Sequence, residues 1–249
     1  MIYSVGGIFI KTGPDNFKLQ QTTIWSFPER GRWASHSGSY RGNWSPYIPR
    51  NIILRYSSKR DWVLDQFLGS GTTLIEAKLL GRNAIGVDIN SDAIKLSNSN
   101  LNFTCQESSK IFIKQGNANN LSFIRDESID LICTHPPYAD IIRYSRKIPG
   151  DISHFKYEDF LKELEKVARE SHRVLKKQGI CAFMIGDIRR KGNVLPLGMY
   201  SMQKFVDAGF KLKEIVIKEQ HNCKATEYWD NIEKTFLMLA HEYIFVLEK

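Results

Sequence analysis

The sequence predicts an α/β fold, a mostly parallel sheet with helices on both faces. From residue 62 onward short apolar runs alternate with amphipathic stretches. Such alternation implies parallel strands joined by helical crossovers. The first and fourth apolar runs also end in loops of unusual composition, LDQFLGSGTT (64–73) and CTHPPYAD (133–140). In sheets of this kind ligands bind at the carboxyl ends of the strands. That rule places residues 65–73, Asp88, Asn117, residues 134–138 and Asp187 along one rim.

Each element has its own local signal. Residues 1–50 show no sustained period, but Trp25, Trp33 and Trp44 mark them as an ordered arm. IPRNIILRYS reads as a short helix with Pro49 near its first turn. WVLDQF is a buried strand. TTLIEAKLLG is a helix, with Thr73 and Glu76 at capping-box spacing and Gly81 at its end. NAIGVDI is the second strand, and SDAIKLSNSNLN a helix capped by Ser91 or Asp92. KIFIKQGN and SIDLICTHP are the third and fourth strands. YEDFLKELEKVARESHRVLKKQG (157–179) is a long helix with the stripe Phe160, Leu164, Val167, Ala168 and Leu175. Lys176 and Lys177 suit its C-terminal dipole, and Gly179 ends it. ICAFMIGD is the fifth strand, PLGMYSMQKFVDAGF a helix closed by Gly209, and KLKEIVIKE and HEYIFVLEK the last two of seven strands.

The 249 residues suffice for one large core, and no repeat or linker divides them, so a single domain over 1–249 is expected. An excess of 35 Lys and Arg over 27 Asp and Glu gives a net charge of +8. That favours a polyanionic partner such as nucleic acid, with a basic, solvated enzyme surface as the alternative. The four cysteines, at 105, 133, 181 and 223, form no C-x-x-C pair, and two lie in apolar runs. They read as thiols of a cytoplasmic, disulfide-free chain. No segment approaches about eighteen consecutive apolar residues, and the N-terminal apolar run lacks a basic flank, so no membrane partner is expected.

In the first loop Gly69 and Gly71 permit tight turning and close backbone approach to a ligand. Alone, such a turn is weak evidence, an ordinary strand–helix connection being the alternative. It is no P-loop, having no G-K-[ST], and Leu74 replaces the last glycine of G-x-G-x-x-G. Asp88 lies about twenty positions further on, where an acid can accept ribose hydroxyls; capping the next helix is its other reading. Asn117 could meet an adenine edge or simply turn the chain. In the second loop Pro136 and Pro137 exclude helix and central strand, and each restricts the residue before it. The result is a rigid, extended turn carrying His135 and Tyr138.

Together, F-x-G-x-G at 67–71 and x-P-P-Y at 135–138 resemble the amino-group DNA methyltransferases over about residues 20–215, with the cofactor loop first and about sixty residues between the motifs. The resemblance implies a Rossmann-like methyltransferase fold, S-adenosylmethionine as cofactor, DNA as partner, and methylation at N4 of cytosine or N6 of adenine. It implies a cofactor site of Asp65, Phe67, Gly69, Ser70, Gly71, Thr72 and Thr73, joined by Asp88, Ile89, Asn117 and Ala118 at the next strand ends. Residues 40–53, with Tyr47, resemble the segment that packs on the methionine end of the cofactor, which puts the arm 1–50 near that site. Thr134, His135, Pro136, Pro137 and Tyr138 take the catalytic loop. Gln66 stands where the family often has Pro, and His135 where it has Asp, Asn or Ser. Thr134 matches the T-S-P-P-Y of many cytosine enzymes, against the D-P-P-Y frequent in adenine enzymes. Cytosine N4 is therefore the first assignment and adenine N6 the next. An RNA or protein amide methyltransferase and a weakly catalytic nucleic-acid-binding protein are the alternatives.

An exocyclic amine is a poor nucleophile because its lone pair is delocalised into the ring. Two acceptors aimed at its hydrogens stabilise the positive charge that develops on attack. The resemblance supplies them as the His135 side chain and the Pro136 carbonyl, held by the stiff Pro-Pro turn, with Tyr138 offering a face to the base. Direct displacement needs no catalytic cysteine, and the base must be flipped out or single-stranded. Imidazolium has no acceptor, so the rate is expected to fall as pH drops through the His135 pKa, about 6.5 if unperturbed. Arg189, Arg190 and Lys191 are expected to meet phosphates. Residues 139–156, with Arg143 and Arg146, and 218–240, with Lys224, are the candidate DNA-recognition loops. His221 and Cys223 lack the remaining ligands of a zinc site, so no metal is expected. A restriction endonuclease is the candidate genetic partner, and a monomer or homodimer the expected assembly.

Overall fold

The computed structural model describes residues 2–5, 8–146, 148–221 and 237–249. Strands β1 (Ile2–Val5) and β2 (Ile8–Lys11) form an antiparallel hairpin. Then come β3 (Ile24–Trp25), α1 (Tyr47–Tyr56), β4 (Trp62–Asp65), α2 (Thr72–Leu79), β5 (Asn83–Asp88), α3 (Ser91–Asn100), β6 (Ile111–Gln115) and β7 (Ile129–Thr134). They are followed by α4 (Tyr157–Val174), β8 (Leu175–Ile185), the short ribbon β9 (Ile188–Arg190) and β10 (Asn193–Leu195), α5 (Leu197–Asp207), β11 (Lys211–Glu219) and β12 (His241–Glu248).

The main sheet has the spatial order β3, β11, β12, β8, β7, β4, β5, β6. From β8 to β6 every neighbouring pair is parallel, and β12 runs antiparallel between β8 and β11. The seven expected strands are present. The eighth is β3, two residues paired with Ile217 and Lys218 of β11. Successive strand residues face opposite sides. Cys181, Phe183, Phe245 and Leu247 pack with Phe160, Leu164 and Phe205 of α4 and α5. Ala182, Met184, Ile244 and Val246 pack with Ile48 and Ile52 of α1 and Leu74 and Ile75 of α2. One core therefore forms on each face. From β4 the chain winds outward to β5 and β6, and it returns as β7 on β4's other side. The crevice at the carboxyl ends of β4 and β7 is the topological switch point, where α/β sheets bind ligands.

Three local expectations are corrected. The long helix ends at Val174; Leu175 is extended, and residues 175–179 begin β8. Lys176 therefore leaves the helix and pairs with Asp130, and His172 and Arg173 hold the basic last turn. Leu175 falls in phase with the helical stripe and is buried as the first residue of β8, so the apolar stripe could not mark the boundary. Glu76 makes no capping box: Gly71, at φ 85°, caps α2 without a side-chain bond, and Glu76 is fully buried against the arm. Asn90, rather than Ser91 or Asp92, caps α3, accepting from the Asp92 N–H at 3.0 Å. Among the described residues no helix is long and apolar enough to cross a membrane.

Candidate active site

A cleft of about 810 Å³, partly open to solvent, lies at the switch point. Asp65, Phe67, Gly69, Ser70, Thr72, Asp88, Ile89, Asn117 and Ala118 line it, together with His135 and Pro137. Three expected cofactor residues stand elsewhere. Gly71 is the helix cap, Thr73 is buried beside Asp65, and Tyr47 stacks on Phe27 at 5.3 Å within the arm. The arm instead presents Tyr40, Asn43 and Trp44 to the cleft.

The glycine turn closes by local necessity. Gly69 has φ 50°, and a Cβ there would lie 3.0 Å from the Tyr40 ring. Its N–H donates to Asp88 Oδ2 at 2.9 Å, and the Asn90 N–H donates to Oδ1 at 2.9 Å. Asp88 thus ties the turn to the end of β5, and as a carboxylate it retains acceptor capacity beyond these bonds. Burial pushes its pKa up, against the pull of the backbone N–H groups. Asp65 joins the two loops: Thr134 Oγ1 donates to its Oδ1 at 2.7 Å, and the Phe67 N–H donates to the same oxygen at 3.1 Å. Burial pushes Asp65 up to about 6, opposed by the neighbouring Thr73 hydroxyl and by the hydrogen bonds from Thr134 and the Phe67 N–H.

His135 stacks on Trp44, with ring centroids 5.4 Å apart and planes 16° off parallel. Its Nε2 lies 3.0 Å from the Tyr138 hydroxyl, which donates to Glu242 Oε1 at 2.6 Å. Glu242 Oε2 accepts from Lys218 Nζ at 2.9 Å, and the two residues are cross-strand partners on β12 and β11. Burial outweighs the attraction of Glu242 and, with Lys218 and Arg30 opposing a positive ring, brings the His135 pKa down to about 4. The ring is thus shifted below the ordinary value of about 6.5, which favours its neutral form. Tyr138 is also placed differently. It stands edge-on to His135 at 73° and outside the cleft lining, and the ring stacked at this point is Trp44. Pro136 is buried beside Pro137.

The basic residues divide. Arg143, Arg146 and Lys191 are exposed. Arg189 donates to the carbonyls of Gly192 and Leu237, and Arg190 pairs with Asp140, so both brace the β9–β10 ribbon region. Lys224 and Cys223 lie outside the described residues, as does most of the 218–240 loop. Residues 139–156 form one wall of the cleft. Asn90 Nδ2 donates to the Tyr144 carbonyl at 2.9 Å, Tyr144 stacks on Tyr40, and Asp151 and Ile152 face inward. Sequence reasoning missed Trp44, Tyr144 and Glu242 as site residues. Glu242 carried a signal, because it falls in phase with the inward Ile244 and Val246 of an apolar strand.

Residues 11–99 and 129–249 match the N6/N4 methyltransferase family model described as DNA methylase. The chain belongs to this DNA methylase family. A second model, described as RNA cap guanine-N2 methyltransferase, matches residues 60–184 of the chain. The Type II methyltransferase M.MthZI of Methanothermobacter thermautotrophicus is 32% identical over 143 residues, 49% of this chain and 40% of that protein. Type II methyltransferase M1.MboII of Moraxella bovis is 50% identical over 58 residues, 22% of each chain. A tRNA (guanine(10)-N2)-dimethyltransferase of Methanothermobacter thermautotrophicus is 32% identical over 123 residues, 49% of this chain and 34% of that protein. The chain thus spans less than half the length of these curated relatives. A solved SAM-dependent methyltransferase from Methanosarcina mazei shares the fold, with a TM-score of 0.55 and 19% identity over 80% of this chain and 96% of that one.

Proposed function

We propose that this protein transfers a methyl group from S-adenosylmethionine to the exocyclic amine of a DNA base, cytosine N4 before adenine N6. The observation that carries the proposal is the Thr134–Asp65 hydrogen bond, which joins the glycine turn and the Pro-Pro loop at one cleft. The cleft's residues fit the cofactor. The Gly69 backbone lines the cleft, Asp88 brings a carboxylate, Asn117 an amide, and Ile89 and Phe67 apolar surface for a nucleoside. When bound, the cofactor supplies an electrophilic methyl group on a sulfonium.

The chain's own residues then act on the amine. His135, neutral and opening onto the cleft, accepts a hydrogen bond from it, and the stiff Pro136–Pro137 turn holds the neighbouring backbone still. Trp44 beside His135 offers an aromatic face to a flipped or single-stranded base. The net charge of +8, with Arg143, Arg146 and Lys191 exposed, suits a phosphate backbone. The Type II relatives support a restriction endonuclease as genetic partner. A second reading, an RNA guanine N2 methyltransferase, is supported by the match of residues 60–184 and by the tRNA-modifying relative. Incubation with methyl-labelled cofactor and DNA, RNA or protein, followed by nucleoside mass spectrometry, tests the proposal. N4-methylcytosine or N6-methyladenine in DNA is the expected product. Label in N2-methylguanosine of RNA alone would replace the first reading by the second.

A further inference from the structure

His135 has two ring nitrogens, and Tyr138 already engages one of them. Glu242 decides how. Its carboxylate only accepts, so the single Tyr138 hydroxyl proton points to Oε1, 2.6 Å away. The Tyr138 oxygen is then an acceptor toward His135 Nε2 at 3.0 Å, and that nitrogen must carry the imidazole N–H. A neutral imidazole has one N–H, so the lone pair falls on Nδ1. Of the charged groups facing the ring, Lys218 and Arg30 carry donors only, and Glu242 supplies the acceptor that ends the chain. Lys218, opposite Glu242 in register, holds Oε2 and leaves Oε1 for the tyrosine.

We propose that Glu242 and Tyr138 are positioning residues that fix the tautomer of His135, placing its proton on Nε2 and presenting the Nδ1 lone pair to the target amine. The role of Nδ1 rests on the methyl transfer proposed above; the tautomer itself does not. In an ionised Asp both oxygens only accept, and no such setting is needed. A histidine in the same loop accepts through only one nitrogen at a time, and the wrong tautomer would present a donor to another donor. The carboxylate of Glu242, 104 residues along the chain from Tyr138, removes that ambiguity.

Glu242→Gln is expected to reverse the chain. Lys218 can only donate, so it draws the glutamine oxygen and turns the amide N–H toward Tyr138. The tyrosine then donates to His135 Nε2, and the ring proton moves to Nδ1. The ¹⁵N spectrum of the full-length, histidine-labelled protein reads the tautomer directly, with His135 assigned from a His135→Gln sample. The wild type should show a protonated Nε2, Glu242→Gln a protonated Nδ1, and Lys218→Met with Glu242→Gln a return toward Nε2. On unmethylated genomic DNA, kcat should fall about a hundredfold in Glu242→Gln with KM little changed, and recover in the double variant. A wild-type proton on Nδ1, or an unaltered tautomer in Glu242→Gln, overturns the proposal. Should Glu242→Gln fail to fold, Tyr138→Phe decides: a mixture of tautomers supports the relay, and an unchanged Nε2–H form overturns it. Absence of DNA methylation by the wild type would remove the proposed function and leave the tautomer result to stand or fall alone.

Discussion

Glu76 and Glu242 are both buried glutamates beside a basic partner, and they hold different things. Glu76 gathers Trp33 Nε1 at 2.6 Å, His36 Nε2 at 2.7 Å and Arg50 Nη1 at 2.7 Å, fastening the N-terminal arm and α1 to α2. Its partners pack against one another, with Arg50 and His36 both against the Trp33 ring. Glu242 holds Lys218 and Tyr138, and Tyr138 passes the contact on to a ring that lines the cleft. The first carboxylate fixes a shape, and the second fixes where a proton sits. What a buried charge does is therefore read from what its partners touch next, since burial and pairing are similar in the two cases.

Removing Glu76 is the harshest way to separate the two. Glu76→Ala leaves the Trp33 N–H and the Arg50 guanidinium without their acceptor inside the protein, and losing one partner of a buried pair costs about 3–5 kcal/mol. Urea denaturation should show that loss, and limited proteolysis should cut within residues 26–46. A change of about 0.5 kcal/mol or less, the level of an ordinary surface substitution, would mean that the arm is fastened elsewhere.

The next contrast is between two titrating groups in the cleft. With a folded pKa of about 4, His135 binds a proton less readily than in the unfolded chain. Its contribution to stability is present above about 6.5 and is lost as pH falls from there through about 4. Asp65 has the opposite displacement, up to about 6. Its ionisation weakens the fold as pH rises from about 3.9 through about 6, and above that the cleft gains a negative charge. Affinity for cationic S-adenosylmethionine should then rise by about tenfold across pH 6, and affinity for the uncharged thioether product should rise less. Calorimetric titrations between pH 5 and pH 8 check this. The limb should survive His135→Gln and vanish in Asp65→Asn. Transfer of the limb to His135 would show that the histidine titrates near its ordinary value.

Both loops were legible in the sequence because their chemistry is local. Gly69 and Gly71 set backbone angles, and Pro136 and Pro137 set stiffness, wherever the chain goes. The end of α4 was not legible, because Leu175 continues the helical stripe and is equally buried as the first residue of β8. Thr73 and Glu76 have capping-box spacing, but the spacing says nothing of Trp33 and Arg50 arriving from the arm to claim the carboxylate. The same holds for the cleft. Trp44 and Glu242 reach the Pro-Pro loop from either end of the chain, and only the sheet order brings β12 beside β8 and so near that loop. His135 stood out in the sequence, while the groups that set its pKa and its tautomer did not.

The smallest expected effect concerns the basic surface, where a similar contrast between fastening and function applies. Arg189 and Arg190 already serve the protein, through the Gly192 and Leu237 carbonyls and through Asp140. Arg143, Arg146 and Lys191 are exposed and can follow a phosphate without first leaving such bonds. A residue that neutralises one phosphate releases about one counterion, so Lys191→Ala, Arg143→Ala and Arg146→Ala should each lower the slope of log affinity against log salt by about 1. Arg190→Ala should lower it less, because the wild-type arginine divides its charge between Asp140 and any phosphate. Fluorescence anisotropy on a duplex over a salt series separates the two classes. Equal slopes for Lys191→Ala and Arg190→Ala would show that the Asp140 pair opens on binding, and that the β9–β10 ribbon meets the backbone with all of its charges.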